Sequence, residues 1–285
     1  MELSNAINKK LSNLITFFKN KKVIIGFSGG VDSSLLAYLS NKYAKKTLLI
    51  TEYSILYPKE EIDSAIQFAK EQNIEYLLMK RDPLKDKEFK KNPINRCYLC
   101  KKGLYSEMKL IQKERSFDII VDGTNMDDLS DYRPGILALK ELNIQTPYIR
   151  YEITKQEIRK ICSFFDLDIK SKPSMACFSS RIPYHVKINE DKLIKIMKAE
   201  QFLKNEFNLK QLRVRYHEKN LARIEFLADD LSKMLTQEKL MSIKNYLKSI
   251  GFNYITVDIE GFRSGSMNEI LNINDINKKH NISIE

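Results

Sequence analysis

Residues 23–34 read VIIGFSGGVDSS, and this stretch decides the fold of the chain. Its apolar start predicts a buried strand, and the apolar residues that follow it predict a helix. Gly29 and Gly30 stand in the turn between them, where glycine permits positive φ and a close approach of the backbone to a ligand. Free amides at the start of a helix favour an anion. The pattern therefore predicts a phosphate-binding unit, with a plain glycine turn capped by Asp32 or Ser33 as the alternative.

The string SGGVDS is neither a Walker A loop, since no Gly-Lys-Ser/Thr follows, nor the dinucleotide fingerprint, since the third glycine is absent. It resembles the pyrophosphate-binding loop, or PP-loop, of the ATP-pyrophosphatase superfamily. The resemblance implies that ATP is cleaved between its α and β phosphates and that a substrate oxygen is adenylylated. It also implies that Mg²⁺ and ATP are held by Ser28, Gly29, Gly30, Val31, Asp32 and Ser33, with Asp32 in a catalytic role.

The composition is that of a globular protein. The chain has 285 residues, 43% of them hydrophobic, and a formal net charge of +11. No apolar run approaches the ~20 residues of a membrane span, and the first ten residues lack the apolar region of a signal peptide. We therefore expect a cytoplasmic protein without a membrane partner. Lysines are spread along the whole length, so we attribute most of the excess charge to composition rather than to nucleic acid.

Strands alternate with helices along the first part of the chain. This order predicts a doubly wound parallel sheet over residues 1–186, and a different rhythm predicts a small α+β domain for substrate binding or oligomerisation over residues 187–285. We read residues 85–102 as polar and irregular, residues 104–112 as helical and residues 229–249 as one helix. Thr154-Lys-Gln-Glu157 has the pattern of a capping box and predicts a helix that runs to about Phe165. Ligands bind at the carboxyl ends of parallel strands, which is where the PP-loop and the segment 122–125 are expected.

The segment DGTNMDDLSDYRPG, residues 122–135, is dense in carboxylates. Beside an ATP site it suits a divalent cation, the ribose or the substrate, although a solvated acidic loop is the alternative. It resembles a branch of the superfamily, the ATP-dependent sulfur transferases of the LarE type. SMACFSSRIPY at 174–184, LRVRYH with LARIE between 212 and 225, and GFRSGSMNE at 261–269 are similar to that family too, so the resemblance covers roughly residues 10–270.

The LarE resemblance implies a step in the synthesis of the nickel-pincer nucleotide cofactor. A carboxylate of pyridinium-3,5-dicarboxylate mononucleotide is adenylylated, and sulfur displaces AMP to give a thiocarboxylate. Adenylylation turns a poor leaving oxygen into a good one, and the attacking sulfur must be a thiolate or sulfide. The resemblance implies a homo-oligomer and a nucleotide site completed by Gly123, Thr124, Asn125, Asp128 and Arg181.

Basic and acidic side chains of the predicted small domain are further candidates. Arg213 and Arg215 alternate with apolar residues on a predicted strand, so both point to one face and suit bidentate binding of a phosphate. With Arg263 they hold the substrate phosphate, by the resemblance, although a solvated basic face is the alternative. The acidic candidates for a metal are Glu200, Glu225 and Asp230.

The resemblance allows two roles for the cysteines, which differ in where the transferred sulfur comes from. In one branch of the family a cysteine at the position of Cys177 gives up its own sulfur. In the other, three cysteines hold a 4Fe–4S cluster, and Cys97-Tyr-Leu-Cys100 with Cys177 fits that pattern. Three thiolates leave one iron open to carry an extra sulfide, whereas four would close it. Structural zinc, redox thiols and chance are the rival explanations of the pair. Cys162 has the spacing of a core residue.

We therefore predict an AMP- and pyrophosphate-forming sulfur transferase that uses ATP, Mg²⁺ and a 4Fe–4S cluster, with a small nucleotide substrate and sulfide or a sulfur donor as partners. The enzymatic rival is a tRNA thiolase, since the net charge of +11 fits RNA. A rival from another class is a non-catalytic nucleotide sensor with a structural zinc. It predicts ATP binding without release of AMP.

Overall fold

The computed structural model describes residues 2–130, 132–171, 176–269 and 271. Asp131 of the acidic segment, residues 122–135, lies outside the described residues, as do Ser174 and Met175 of the cysteine segment, residues 174–184. The chain forms two compact units. The first unit comprises Met1–Phe89 and Ile94–Ala176, and the second comprises Lys90–Pro93 and Cys177–Glu285. The division thus falls at residue 177, ten residues before the boundary that we expected from the sequence.

The first unit has four strands and most of the helices. Its strands are β1 Lys22–Gly26, β2 Lys46–Tyr53, β3 Glu75–Lys80 and β4 Ile119–Val121. The helices, in chain order, are α1 Asn5–Phe18, α2 Val31–Tyr43, α3 Lys59–Glu71, α4 Lys87–Lys90, α5 Arg96–Glu114, α6 Gly135–Glu141, α7 Pro147–Arg150 and α8 Lys155–Phe164. Helix α4 ends on Lys90, the first residue that belongs to the second unit.

The four strands form one parallel sheet in the order β3-β2-β1-β4. Side chains of β1 alternate between its faces, because successive residues of a strand point to opposite sides. Val23 and Ile25 are buried in a core with α1, α2 and α8, whereas Ile24 is buried in a second core with Tyr105 and Met108 of α5. Helices therefore cover both faces, which confirms the predicted doubly wound α/β sheet.

Two sequence-based expectations about helices were wrong. Helix α5 begins at Arg96, inside the stretch expected to be irregular. Its buried Tyr105 and Met108, with Leu104 and Ile111 packed beside them, hold one face of the helix on the sheet. Good helix formers such as Lys and Leu fill much of the remainder. The helix expected over 229–249 is two helices, separated at Leu235 and Thr236, and Thr236 is the N-cap of the second.

The second unit contains a three-stranded sheet. Its elements are α9 Glu190–Phe207, β5 Leu212–His217, β6 Leu221–Phe226, α10 Ala228–Met234, α11 Gln237–Ser249 and β7 Tyr254–Val257. Strand β5 pairs antiparallel with β6, and β6 pairs parallel with β7. Asn92 is fully buried in this unit, and its side-chain amide donates to the carbonyls of Ile182, Pro183 and Val186. Within the described ranges, no helix has the length and hydropathy that crossing a membrane requires.

Candidate functional site

A cavity of about 320 Å³ opens at the carboxyl edge of the parallel sheet, within the first unit. The ends of β1, β2 and β4 line it, together with the start of α2 and part of α5. This is the edge at which doubly wound sheets bind ligands, and the volume lies in the range of small-molecule sites. Six residues expected at the nucleotide site from the sequence line the cavity, namely Ser28, Asp32, Ser33, Gly123, Thr124 and Asp128.

The PP-loop is held in shape by its own hydroxyls. Ser28 Oγ lies 3.2 Å from Ser33 Oγ and accepts from the Gly30 amide at 3.3 Å, and Ser33 Oγ donates to the Gly30 carbonyl at 3.1 Å. Gly29 has φ of +70°, and a Cβ there would lie 3.1 Å from the Cβ of Ala65. The loop ends in α2, which begins at Val31. Its first amides and the helix dipole therefore form a cradle for an anion.

Asp32 is the acidic residue in the first turn of α2. Its Oδ2 forms an ion pair with Lys155, and its Oδ1 accepts from Asn125 Nδ2 at 3.4 Å. Burial raises the pKa of Asp32 and the charge of Asp128 adds to the rise, whereas Lys155 lowers that pKa in part. Two carboxylates, Asp32 and Asp128, therefore line one cavity, and Lys101 lines it too. Oxygen ligands of this kind suit Mg²⁺.

Asp122 is the most heavily hydrogen-bonded carboxylate of the cavity. It accepts from Lys101 Nζ at 2.9 Å, from the Thr124 amide at 2.8 Å, and from the hydroxyls of Thr124 and Tyr105. Burial alone would raise the pKa of Asp122, but Lys101 and these hydrogen bonds outweigh burial and lower it. The group is therefore an anion that fixes the β4 end and presents Lys101 to the cavity.

Four residues that no sequence motif indicated belong to the cavity or contact an acid in it, namely Lys101, Tyr105, Lys155 and Glu52. Lys155 follows Thr154, whose capping box with Glu157 is confirmed. The box signalled a helix, but no local pattern could show that the helix begins beside Asp32. Lys101 was obscured because its helix had been read as irregular.

The four cysteines all lie within the described residues, and none of them forms a disulfide. Cys97 and Cys100 are three residues apart on α5, which places them on neighbouring positions of one helix face, and Cys100 lines the cavity. Cys177 belongs to the second unit, where its Sγ lies 2.9 Å from Ser179 Oγ. In the described part of the chain, no three His, Cys, Asp or Glu side chains form a group that could hold a metal. Cys162 is fully buried in the core, as predicted.

Arg181 pairs with Glu200 inside the second unit. Its guanidinium donates to both carboxylate oxygens and also to the Cys177 carbonyl, at 2.8 Å. Burial alone would raise the pKa of Glu200, but Arg181 and Arg213 more than offset it and lower the pKa. Arg181 was expected at the nucleotide site, yet the contacts described here fix it on Glu200 and on the backbone of the cysteine segment.

Arg213 and Arg215 are both buried on β5. Arg215 donates to Glu225 at 2.7 Å and to Ser266 at 2.9 Å. Burial lowers the pKa of Arg213 to about 10, and the neighbouring charges of Arg181 and Arg215 contribute to that shift. Buried positive charge is therefore crowded here, and a bound anion would relieve it.

The remaining candidates of the second unit are occupied by ion pairs. Arg263 contacts Asp258, Glu260 and Glu269, and its hydrogen bond with Glu269 raises the pKa of Arg263. Asp230 lies 3.7 Å from Lys233. Glu200 and Glu225 hold arginines in this structure rather than sharing a cluster with Asp230.

Known proteins resemble the chain over nearly its whole length. The NAD synthase family profile matches residues 3–95. An uncharacterised protein of Synechocystis sp. is 34% identical over 267 residues, which cover 93% of this chain and 99% of that protein. An uncharacterised protein of Methanocaldococcus jannaschii is 37% identical over 262 residues, covering 90% and 96%. The pyridinium-3,5-bisthiocarboxylic acid mononucleotide synthase of Lactiplantibacillus plantarum is 29% identical over 265 residues, covering 92% and 95%.

The chain belongs to the family of the Synechocystis and Methanocaldococcus proteins, which is a PP-loop family of the LarE type. This agrees with the parallel sheet, the loop at the start of α2 and the cavity beside it. The same findings place the chain among ATP-using enzymes.

Proposed function

We propose that this protein inserts sulfur into a carboxylate of pyridinium-3,5-dicarboxylate mononucleotide at the expense of ATP, in the synthesis of a nickel-pincer nucleotide. One carboxylate oxygen attacks the α-phosphorus of ATP and pyrophosphate leaves. Sulfide then attacks the acyl carbon, AMP leaves with that oxygen, and a thiocarboxylate remains. The observation that carries the proposal is a PP-loop cavity in a chain that aligns over 95% of a synthase whose name states a bisthiocarboxylic product.

The first unit supplies the adenylylation site in this proposal. The PP-loop amides bind the β and γ phosphates, and Asp32 and Asp128 face the Mg²⁺ that accompanies them. Lys101 is held by Asp122 at 2.9 Å and stabilises negative charge on the reacting phosphate. In this step no protein group forms a covalent bond with the substrates. The protein accelerates the reaction by positioning the two substrates and by stabilising charge.

The second unit supplies the substrate site. Arg213 and Arg215 bind the substrate phosphate, with Arg263 at the exposed side. Three buried arginines, Arg181 among them, face two buried glutamates, so the crowded positive charge supports an anionic ligand here. Glu225 and Ser266 orient Arg215, and Glu200 holds Arg181.

Cys177 carries the sulfur chemistry, and we propose that it acts with Cys97 and Cys100 as a ligand of a 4Fe–4S cluster. The support is their residue type, since thiolates are the ligands of such clusters, and the spacing of Cys97 and Cys100 on one face of α5. A cluster bound by three thiolates would supply a sulfide for transfer. The rival is sacrifice of the Cys177 sulfur itself.

The proposal is tested on the full chain purified without oxygen. Wild type is incubated with Mg-ATP, sodium sulfide and pyridinium-3,5-dicarboxylate mononucleotide. We expect AMP, and a product whose mass corresponds to one oxygen replaced by sulfur. Cys177→Ala should form no thiocarboxylate, whereas Cys162→Ala, a matched change of a buried cysteine, should retain product formation.

The outcomes separate the parts of the proposal. Absence of AMP with this substrate overturns the function, and AMP formed only when tRNA is added supports the tRNA thiolase instead. Iron and acid-labile sulfide that are lost in Cys97→Ala, with more than one product per chain, support the cluster. A single product per chain, with loss of the Cys177 sulfur from the protein mass, overturns it.

A further inference from the structure

Glu52 is a buried carboxylate that faces the nucleotide cavity and that no step above uses. It lies near the carboxyl end of β2, is only 7% exposed and lines the cavity. Neither Oε1 nor Oε2 has a hydrogen-bond partner among the described residues. Buried carboxylate oxygens are nearly always hydrogen-bonded, so a carboxylate at the wall of a cavity that has an ion pair but no hydrogen bond points to donors on a ligand.

The nearest charge to Glu52 is Arg81, whose Nη1 lies 3.4 Å from Oε2. Arg81 is held from behind, because its Nε donates to Glu107 at 2.9 Å. A Cβ at Gly103 would lie 2.4 Å from Arg81 Nη2, so the glycine leaves room for the guanidinium. Burial raises the pKa of Glu52, and Arg81 and Ser54 offset part of that rise. The arginine thus supports the ionised carboxylate without satisfying its oxygens.

The position of Glu52 relative to the PP-loop indicates which part of a nucleotide it meets. Strand β2 adjoins β1, and Gly26 at the end of β1 lies beside Ile50. Strands in a sheet lie about 5 Å apart, and the Phe27 amide still donates to the Ile50 carbonyl just beyond the end of β1. Glu52 is two residues beyond Ile50 on β2, and Ser28 is two residues beyond Gly26 in the loop that follows β1, so Glu52 lies on the strand next to the PP-loop. A group one strand away from the phosphate cradle meets the part of the nucleotide next to the phosphates, which is the sugar.

We infer that the Glu52 carboxylate accepts hydrogen bonds from the 2′- and 3′-hydroxyls of the ATP ribose and makes the site selective for ribonucleotides. The inference rests on the proposed binding of ATP in this cavity. A vicinal diol offers two donors to two acceptors. The edge of adenine that carries the amino group offers only one donor, because the neighbouring ring nitrogen is an acceptor. Adenine at this position would place that nitrogen against a carboxylate oxygen, which is a repulsive contact between two acceptors. Dinucleotide-binding sheets, whose strand order begins 3-2-1-4, offer an analogy: an acidic residue about 20 positions beyond their glycine-rich turn binds the 2′-hydroxyl of a ribose.

The test compares ATP with 2′-deoxy-ATP and 3′-deoxy-ATP, each with Mg²⁺, by calorimetric titration of the full chain. We expect wild type to bind ATP about tenfold or more tightly than either analogue, since hydrogen bonds to a charged acceptor are strong. Glu52→Gln should lose most of that ratio by weakening ATP, with little change for the analogues. Glu107→Gln is the matched control, because it releases Arg81 without removing a group that lines the cavity.

Several results would overturn the inference. One is that wild type binds the deoxy analogues as tightly as ATP. This result needs no variant, so it does not depend on how Glu52→Gln folds. An equal loss of affinity for ATP and both deoxy analogues in Glu52→Gln overturns the inference too. So does a Glu52→Gln variant in which the affinity for ATP relative to ITP changes while the ribose preference is kept. Wild type that binds none of them overturns the proposed nucleotide site and this inference with it, whereas normal ATP binding without sugar selectivity overturns the inference alone.

Discussion

Arg181 donates two parallel hydrogen bonds to Glu200, from Nε to Oε1 at 3.0 Å and from Nη2 to Oε2 at 3.1 Å. Both side chains are buried in the second unit, at 1% and 3% exposed. Glu200 Oε1 also accepts from the Val214 amide at 3.0 Å, and Arg181 Nη1 reaches the Cys177 carbonyl. The pair therefore links α9, β5 and the cysteine segment, and a planar guanidinium fork suits that task better than lysine.

Breaking this pair from one side should destabilise the second unit strongly. Arg181→Met leaves Glu200 buried without its cation, and we expect a loss of about 3–5 kcal/mol in the free energy of unfolding. Arg181→Met/Glu200→Gln should recover most of the loss, because Gln can still accept from the Val214 amide. Urea denaturation of the three proteins measures both. A double variant no more stable than Arg181→Met would contradict this account.

The same pair makes stability depend on pH in a defined direction. Because the pKa of Glu200 is lowered on folding, the unfolded chain binds more protons than the folded chain in this window, and stability rises with pH. The contribution is fully present above the unfolded pKa of about 4.3 and is lost as the pH falls through the folded pKa. We expect the stability gap between wild type and Glu200→Gln to be constant near neutral pH and to shrink below about pH 4.3. Urea midpoints of both proteins at each pH separate the contribution of Glu200 to stability from that of the other acidic residues, which both proteins share. A stability gap that widens on acidification would contradict the assignment.

The sequence was enough to predict the parallel sheet and the glycine turn that leads into α2, because both depend on local signals. A continuous apolar strand, a glycine turn and a helix start occupy twelve consecutive residues, 23–34. The capping box at Thr154 was equally local. Six predicted residues line one cavity because they follow strands that end at the same edge of the sheet.

What the sequence could not predict depends on contacts distant in the chain. Lys155 meets Asp32 across 123 positions, and Arg81 meets Glu52 across 29. Arg181 meets Glu200 of α9 across 19 positions, a contact that depends on packing. The start of helix α5, from Arg96 to Lys102, was missed because burial against the sheet, rather than a strong apolar period, stabilises the helix.

Gly26 and Tyr105 should be energetically coupled. A Cβ at Gly26 would lie 2.4 Å from Tyr105 Oη, which donates to Asp122. Gly26→Ala must therefore displace the hydroxyl, and we expect a cost of about 1–3 kcal/mol. In a Tyr105→Phe background the same change should cost less, because the displaced hydroxyl is gone and Asp122 retains Lys101 and Thr124. A double-mutant cycle by urea denaturation measures the coupling, and strictly additive losses would contradict it.

The cysteines should divide into reactive and protected groups. Cys162 is fully buried, and burial raises the pKa of its thiol to about 12, so little thiolate exists at pH 8. Cys97 is exposed, and Cys100 and Cys177 are half-buried. Iodoacetamide applied to native, chelator-treated protein should modify these three and spare Cys162, as read by peptide mass spectrometry. Denatured protein is the control for access, and early labelling of Cys162 in the native chain would contradict its placement in the core.

Lys155 should set the pH range in which the protein binds Mg-ATP. Burial raises the pKa of Asp32, and Lys155 counteracts part of that rise. In Lys155→Met the pKa of Asp32 should rise further, so a higher pH is needed to ionise the carboxylate that faces Mg²⁺ in our proposal. We therefore expect the acid limb of Mg-ATP affinity, measured by titration calorimetry from pH 5 upward, to move to higher pH. Lys10→Met, which removes the ion pair with Glu157 on the same helix, is the control and should leave the limb in place. A limb that is unmoved in Lys155→Met, or that moves to lower pH, would show that Asp32 does not need its charge for the metal nucleotide.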